Sequence, residues 1–580
     1  MIIKDHIHGN IYIIDAEKKT IEHPLFQRLR YIYQNGLAHL VYPGLTHNRF
    51  IHSLGTMVLA HKLFTSAVAH LSKEKMSLFI KKITEDFNNF KIEFYDDPIK
   101  FLETSLRLSA LTHDIGHLPL SHLTEQWFFR FLNLHFPLMK FFENAQIHEM
   151  LTLWLVLDTE LIPQEYKKAV FLILLSAYLI KEENLKNLID PENLKIIDAI
   201  KNSIFFSISK IISSDIDADR MDYLLRDGNL SGTTFGIYDM DRLIDAIRLQ
   251  QDKDGRWSIR FSFKAKSAVE SVLTERTRLY RYVYFHRKIL LIENLLIQML
   301  EKNEKVKEHL KNVFNKHFEK IAVNNEYEKE FFSFLVGEEN GIGFIRVYKA
   351  DKKAYLKKSL FTKIDGNNSA QFFDDFWFIY NLRENLPDFF DSIYNRREPI
   401  LLWKYRSEYD RFCEELFTDE IIGNLAPGNV TKFNWIRENS SLIFSKLFEE
   451  NESRFLLEKL SRSLANRTKY HGFLILAKIP SRKLLPLKKS LFRLAIDDND
   501  EVIDYESPFL KSLNDKEVWE KNDALIWLGF ASSSKETSAR EEKEKTRIEI
   551  RNALLEILKE NISEFTNFID SLYDKFCKGH

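Results

Sequence analysis

Cysteine is nearly absent: Cys413 and Cys577 are the only two in 580 residues. They form no CxxC pair and no metal spacing. That excludes a disulfide framework and points to a reducing compartment. Excess charge of either sign is also missing. The 83 Lys and Arg nearly balance 84 Asp and Glu, leaving a formal net charge of −1 and a pI of about 7.0. No broad basic face for nucleic acid or an anionic membrane is therefore expected. No run reaches the ~18 apolar residues of a membrane span. The opening M-I-I-K-D-H-I-H-G lacks the pattern of a secretion signal, and no basic run gives a nuclear address. The expectation is a cytoplasmic protein. No internal repeat is found.

What is present describes a folded, aromatic-rich protein. Hydrophobic residues make up 45% and charged residues 29%, with 47 Phe and 22 Tyr available for the core. The length allows two to four domains or sub-domains. The 3.6-residue period dominates, so the fold is expected to be mainly α with a small β element. Residues 1–21 open with a short β-like alternation around Gly9, and a strand is expected within Gly255–Phe263. Helices are expected from Pro24 to Gly36, from Asn48 or Thr46 to His70, across 72–100 as an insertion with a loop, from 213 to a stop at Gly228, and over 267–302. Ser53, Gly55 and Ala60 permit close backbone approach. A small sheet is expected in 337–365, and helices with loops from about 420 to 580. The expected domains are 1–302, a mixed α/β region 303–420 for regulation or oligomerisation, and a helical region 421–580.

The chain is organised around Ala110–Glu125, A-L-T-H-D-I-G-H-L-P-L-S-H-L-T-E. Three histidines and two carboxylates crowd His113–Glu125, too many for packing alone. Adjacent His113 and Asp114 lie about 100° apart on a helix and can lean toward one ion. Ligand-type residues recur on other helices, which makes His52, His113, Asp114 and Asp219 the candidate ligand set. Two imidazoles and two carboxylates suit one Mn, Fe, Ni or Mg ion better than a closed zinc site. His117, His122 and Glu125 remain for a supporting shell.

Two further stretches carry chemistry. In S-S-D-I-D-A-D-R-M-D-Y-L-L-R-D-G, Asp219, Tyr223 and Asp227 fall on one helix face, and Arg220 lies to the side, within reach of a phosphate. Asp222 and Arg226 read more plainly as a local ion pair. In E-R-T-R-L-Y-R-Y-V-Y-F-H-R-K, Arg276, Tyr280, Tyr284 and Arg287 recur at i, i+4, i+8 and i+11, again one face. Guanidiniums and phenols together suit a polyphosphate and a sugar.

The segments H-N-R-F-I-H-S-L-G, T-H-D-I-G-H-L-P-L-S-H and I-D-A-D-R-M-D-Y-L-L-R-D resemble the HD-domain superfamily. More narrowly they are similar to its deoxynucleoside triphosphate triphosphohydrolases, a likeness covering residues 1 to about 300 and extending weakly to about 410. The resemblance implies a helical catalytic domain that hydrolyses a nucleoside triphosphate to nucleoside plus inorganic triphosphate. It implies metal ligands at His52, His113, Asp114 and Asp219, and a proton donor to the leaving 5′ oxygen at His122. It implies supporting and phosphate contacts from His117, Glu125 and His148, and phosphate-binding positions at Arg49, Arg220, Arg276 and Arg287. Sugar contacts fall to Gln34, Tyr223, Asp227 and Tyr284.

Departures from the family pattern stand at Glu125 for aspartate, Tyr280 for histidine, Arg220 and Arg287 for lysines, His6 for proline and Asn35 for leucine. The leucine helps exclude ribose, so Asn35 bears on deoxy selectivity. Glu22, Gln27 and Arg30 match positions that hold an activating guanine nucleotide in animal members. The expected partners are therefore a nucleoside triphosphate, a guanine-nucleotide activator and further copies of the chain as a dimer or tetramer. Neither a membrane nor nucleic acid is indicated. Two other readings keep less of this: a nucleotidase or phosphodiesterase on mono-, cyclic or oligonucleotides, and a nucleotide-sensing or nucleic-acid-binding module.

Overall fold

Asn48 starts the helix on which the first part of the molecule is built. Its side chain accepts the Ile51 N–H at 3.2 Å, satisfying one of the free donors of the first turn. Helix Arg49–Ala69 then buries Phe50, Leu54, Met57, Leu59, Leu63 and Phe64 around most of its circumference. A helix apolar on most sides belongs inside a bundle. This one packs against Pro98–Thr112 and Ala218–Ser231, while Gln164–Leu179 packs on Pro98–Thr112 and on Ile204–Ser209. Gly55 admits side chains where a close backbone approach was expected. A Cβ there would overlap the Asp222 carboxylate and come within 2.7 Å of Arg226 Nη2.

The structure is a computed structural model and describes residues 1–95, 97–132, 146–179, 191–315, 374–383, 385–394, 399–448, 453–478, 491–495, 502–506, 526–532 and 540–577. The chain is mainly α, as expected. It divides into two units. One holds residues 1–279, 305–382 and 486–510, and the other holds 280–304, 383–485 and 511–580.

In the first unit, the alternation around Gly9 is an antiparallel hairpin, Ile2–Asp5 with Gly9–Tyr12, turning at Gly9 with φ +71°. Strand Trp257–Phe261 pairs with Ile247–Gln251. Helix Pro24–Arg28 is much shorter than its period predicts. It tightens to a 3-10 turn and becomes extended at Ile32. The reason is non-local: the Arg49 N–H donates to the Ile32 carbonyl at 3.0 Å and the Gln34 N–H to the His47 carbonyl at 3.0 Å. The acid-rich helix also shifts, to Ala218–Ser231. Asp217 caps it by accepting from Arg220 and Ser214 N–H groups, both at 2.7 Å. It stops at Gly232 (φ +71°), not at Gly228, which instead packs against the Phe235 carbonyl.

The single helix expected over 267–302 is broken. Lys266–Leu279 ends, a π turn spans Tyr280–Tyr284, and Arg287–Lys302 restarts under a His286 cap. Helix Glu304–Asn315 follows. The small sheet expected in 337–365 lies outside the described residues.

The second unit corrects the expectation of helices alone after residue 420. A three-stranded antiparallel sheet orders Ile400–Leu401, Ile526–Ser532 and Gly472–Lys478, with Leu474 opposite Phe530. G-F-L-I-L-A-K is a short apolar run that period alone cannot assign. Its partner I-W-L-G-F-A-S, more than forty residues on, decides. Gly529 lies against Leu291 of helix Arg287–Lys302, and Trp403 Nε1 donates to the Ile526 carbonyl at 2.6 Å. Among the described residues, no helix is long and apolar enough to cross a membrane.

Candidate metal centre and adjoining histidine cluster

Three helices bring His52, His113 and Asp219 within ligating distance of one another, with Asp114 beside them. His52 sits in the first turn of Arg49–Ala69, His113 caps the C-terminus of Pro98–Thr112 with Asp114 next to it, and Asp219 sits in the first turn of Ala218–Ser231. His52 Nε2 lies 3.0 Å from Asp219 Oδ1 and 3.7 Å from Asp114 Oδ2. His113 Nε2 lies 3.3 Å from Asp114 Oδ1 and 3.6 Å from Asp219 Oδ1. Metal–ligand distances of about 2.0–2.2 Å put neighbouring ligand atoms roughly 3 Å apart, so the spacing fits. His113 Nε2 is buried and makes no hydrogen bond. Its other nitrogen, Nδ1, donates to the Ala110 carbonyl at 2.8 Å, which turns the Nε2 lone pair inward. The residues therefore fit a divalent first-row ion.

Behind His52 stands a buried network that the sequence did not reveal. Asp222 Oδ2 takes His52 Nδ1 at 2.8 Å, and Oδ1 meets His8 Nε2 at 2.6 Å. Arg226 binds both Asp222 oxygens, at 2.8 and 2.9 Å, and reaches Asp5 at 2.8 Å. Asp5 in turn accepts the Ile7 and His8 N–H groups at 2.9 Å each, shaping the hairpin turn that presents His8. The i, i+4 pairing of Asp222 with Arg226 was legible; that the pair is fully buried was not. Burial works to lower the pKa of His52, but the Asp219 and Asp222 carboxylates outweigh it and raise it to about 10. Against the upward push of burial, His113 and then His52 hold Asp219 well below the carboxylate range, and Arg226 and then His52 do the same for Asp222.

A second cluster adjoins through Asp114, whose Oδ1 lies 3.3 Å from His117 Nε2. Glu125 is its centre. Its Oε1 lies 2.8 Å from His117 Nδ1, 3.0 Å from His148 Nδ1 and 3.4 Å from His122 Nδ1. The His117 and His148 rings stack at 3.8 Å. Gly116 lets the loop seat against helix Ile147–Asp158: its N–H donates to Thr152 Oγ1 at 3.1 Å, and Thr152 donates to the His113 carbonyl at 3.0 Å. Burial and the nearby charges of Arg49 and His148 depress His117 to about 3, so it is neutral near pH 7. Glu125 stays well below its usual value because the three rings overcome its burial. His122 differs from the others in exposure, with 52% of its side chain open to solvent. Partial desolvation lowers its pKa while Glu125 pulls it up.

Arg49 links the two clusters. It is buried, pairs with Asp114, donates from Nε to Ser121 Oγ at 2.9 Å, and approaches the Gln34 carbonyl at 3.4 Å. Gln34 Oε1 and Asn35 Nδ2 are buried without hydrogen bonds. Arg220 turns to Asp217 at 2.9 Å. Tyr223 is half-buried on the Asp219 face, whereas Asp227 lies 2.7 Å from His47 Nε2, a partner not expected. Arg276 is half-buried in the last turn of Lys266–Leu279. Tyr280, Tyr284 and Arg287 fall in the other unit, and the π turn breaks the single face expected for them. There the Tyr280 and Tyr284 rings meet edge-on at 5.0 Å. Gln27 donates to the Ile21 carbonyl at 2.6 Å, and Arg30 donates to Gln27 at 2.7 Å and lies over the Phe50 ring. Glu22 is exposed, 3.8 Å from Lys18.

No protein-family profile matches the chain. It is similar to an uncharacterized protein of Methanocaldococcus jannaschii, 32% identical over 295 residues, 51% of this chain and 48% of that one. A deoxynucleoside triphosphate triphosphohydrolase of Bos taurus is 27% identical over 380 residues, 64% of this chain and 58% of the relative. An HD domain-containing protein of Acanthamoeba polyphaga mimivirus is 25% identical over 296 residues, 50% of this chain and 55% of that one. The chain thus spans about half the length of these relatives. The resemblance carried by its motifs stands: the chain is similar, over half of its own length or more, to HD domain-containing proteins and to proteins named deoxynucleoside triphosphate triphosphohydrolase.

Proposed function

We propose that the protein is a metal-dependent phosphohydrolase that cleaves nucleoside triphosphates, deoxynucleotides foremost, to nucleoside plus inorganic triphosphate. The observation that carries this reading is the junction at Asp114. One carboxylate faces His52 and His113 on one side and the histidine cluster on the other. The similarity to a protein named deoxynucleoside triphosphate triphosphohydrolase supports the choice of substrate.

The residues divide the work. His52, His113, Asp114 and Asp219 hold the ion. When bound, a divalent ion supplies Lewis acidity at a phosphoryl oxygen and acidifies water. Arg49 neutralises charge on the polyphosphate from a fixed, buried position, where such charge is most effective. Water attacks the α-phosphorus and the bond from phosphorus to the 5′ oxygen breaks. His122, exposed to substrate and backed by Glu125, protonates the departing oxygen; positioned acids of this kind contribute about 10²–10⁴-fold. Assembly of several copies and a guanine-nucleotide activator at Glu22, Gln27 and Arg30 extend the same reading.

The test is product analysis with each of the common dNTPs and NTPs, in Mn²⁺ or Mg²⁺, with and without GTP or dGTP. Nucleoside and intact triphosphate, lost in Asp114→Ala, are expected. Activity on cyclic or oligonucleotides alone would replace this reading with the phosphodiesterase one.

A further inference from the structure

Asp375 is a buried carboxylate that neither the metal centre nor the histidine cluster uses. It opens helix Asp375–Arg383 and is fully shielded from solvent. Both of its oxygens are spent on backbone amides from distant parts of the same unit. Oδ2 accepts the Tyr33 N–H at 2.8 Å and Oδ1 accepts the Leu120 N–H at 2.6 Å.

Those amides belong to the two segments that flank Arg49. Tyr33 precedes Gln34 and Asn35. Leu120 and Ser121 precede His122, and both are left-handed, with φ +59° and +55°. Left-handed backbone is unfavourable for a residue with a side chain, so this turn has to be held by its surroundings. The two bonds to Asp375 tie this left-handed turn to the Tyr33 segment. Ser121 closes the circuit. Its Oγ donates to the Tyr33 carbonyl at 2.7 Å and accepts from Arg49 Nε at 2.9 Å, while Arg49 also pairs with Asp114. From a second direction Arg28, also buried, donates to the Ile115 carbonyl at 2.7 Å. The neighbouring Asp374 serves its own helix instead, where its Oδ1 accepts the Trp377 N–H at 2.9 Å as a cap.

We propose that Asp375 is a positioning residue for the hydrolase site: by clamping Tyr33 and Leu120 it fixes the turn that presents His122 and the hydroxyl that aims Arg49. The catalytic consequence rests on the phosphohydrolase reading; the clamp itself rests on geometry alone.

The test compares Asp375→Ala and Asp375→Asn with Asp374→Asn as the neighbouring control. Asparagine keeps the size of the side chain but offers one acceptor where two are used. Both Asp375 variants are expected to lose about 10²-fold in kcat, the scale of an ångström misplacement. KM and bound metal stay within about twofold, and the Tyr33 and Leu120 amides exchange hydrogen at least about tenfold faster. Asp374→Asn, which keeps a cap, retains wild-type kcat and protection. Unchanged kcat in both Asp375 variants overturns the proposal, as does a loss that merely follows loss of metal. Should the alanine variant not fold, the asparagine variant decides. Should the wild-type protein hydrolyse no triphosphate, the functional reading fails separately and amide exchange alone decides. Opening of Tyr33 and Leu120 in Asp375→Asn then upholds the clamp, and unchanged protection overturns it.

Discussion

His52 Nδ1 lies 2.8 Å from Asp222 Oδ2, and that bond determines which ring nitrogen faces the candidate metal centre. A carboxylate on Nδ1 holds the proton there and leaves Nε2 to the ion. Asp222 is therefore a ligand-orienting residue although it touches no ligand position itself. Asp222→Asn is expected to weaken metal binding about 10–100-fold, the usual cost of losing such a partner. Competition with a chelator of known affinity measures it. Unaltered affinity would mean that helix packing alone orients His52.

The Asp219 and Asp222 carboxylates around His52 make metal-free protein sensitive to alkali. His52 is raised to about 10 from an ordinary 6.5. A group whose pKa rises on folding stabilises fully below its unfolded value and loses that contribution as pH climbs through the folded one. Chelator-treated protein should lose thermal stability between about pH 6.5 and 10. Metal-loaded protein, whose His52 is already unprotonated, should lose less over the same range. Proton release on metal binding at neutral pH, read by calorimetry in buffers of different ionisation enthalpy, is the matching signal. Parallel melting curves with and without metal would contradict this account.

Glu125 faces three histidines with one oxygen. Glu125→Gln keeps the shape and removes the charge that supports the protonated form of His122. The rate is expected to fall about 10²-fold, toward the lower range for loss of acid catalysis. The alkaline limb of the pH–rate profile should move to lower pH, because His122 then gives up its proton more easily. A fall in rate with an unmoved alkaline limb would assign Glu125 to packing.

Gly55 and Gly232 offer a paired test of close approach against backbone conformation. A Cβ at Gly55 would strike Asp222, whereas one at Gly232 meets open space but must hold φ +71°. Gly55→Ala should destabilise by about 1–3 kcal/mol and weaken metal binding through Asp222. Gly232→Ala should cost roughly 1–2 kcal/mol and leave metal binding intact. Denaturant melts with metal titrations separate the two.

The parts of the site carried by local spacing were legible in the sequence. The His113-Asp114 pair, His52 behind an Asn48 cap and the Asp219 face of an acid-rich helix could all be read from period and ligand chemistry. What escaped depended on partners far along the chain. Asp5 and His8 join Asp222 only because the N-terminal hairpin folds onto helix Ala218–Ser231. His47 finds Asp227 across 180 positions of sequence. Asp374 and Asp375 left one faint trace, two carboxylates inside the aromatic run Q-F-F-D-D-F-W-F. Helix ends were lost for the same reason: Ile32 leaves its helix to bond Arg49, and the strand Gly472–Lys478 is settled by Ile526–Ser532.

The most direct test of the central claim is to run the reaction in water labelled with heavy oxygen and locate the label in the products. Attack at the α-phosphorus, with His122 protonating the 5′ oxygen, predicts label in the inorganic triphosphate and none in the nucleoside. Label in a nucleotide product, in pyrophosphate, or on the nucleoside would mean that a different bond is broken, and would contradict the assignment of His122 and the metal centre to this cleavage.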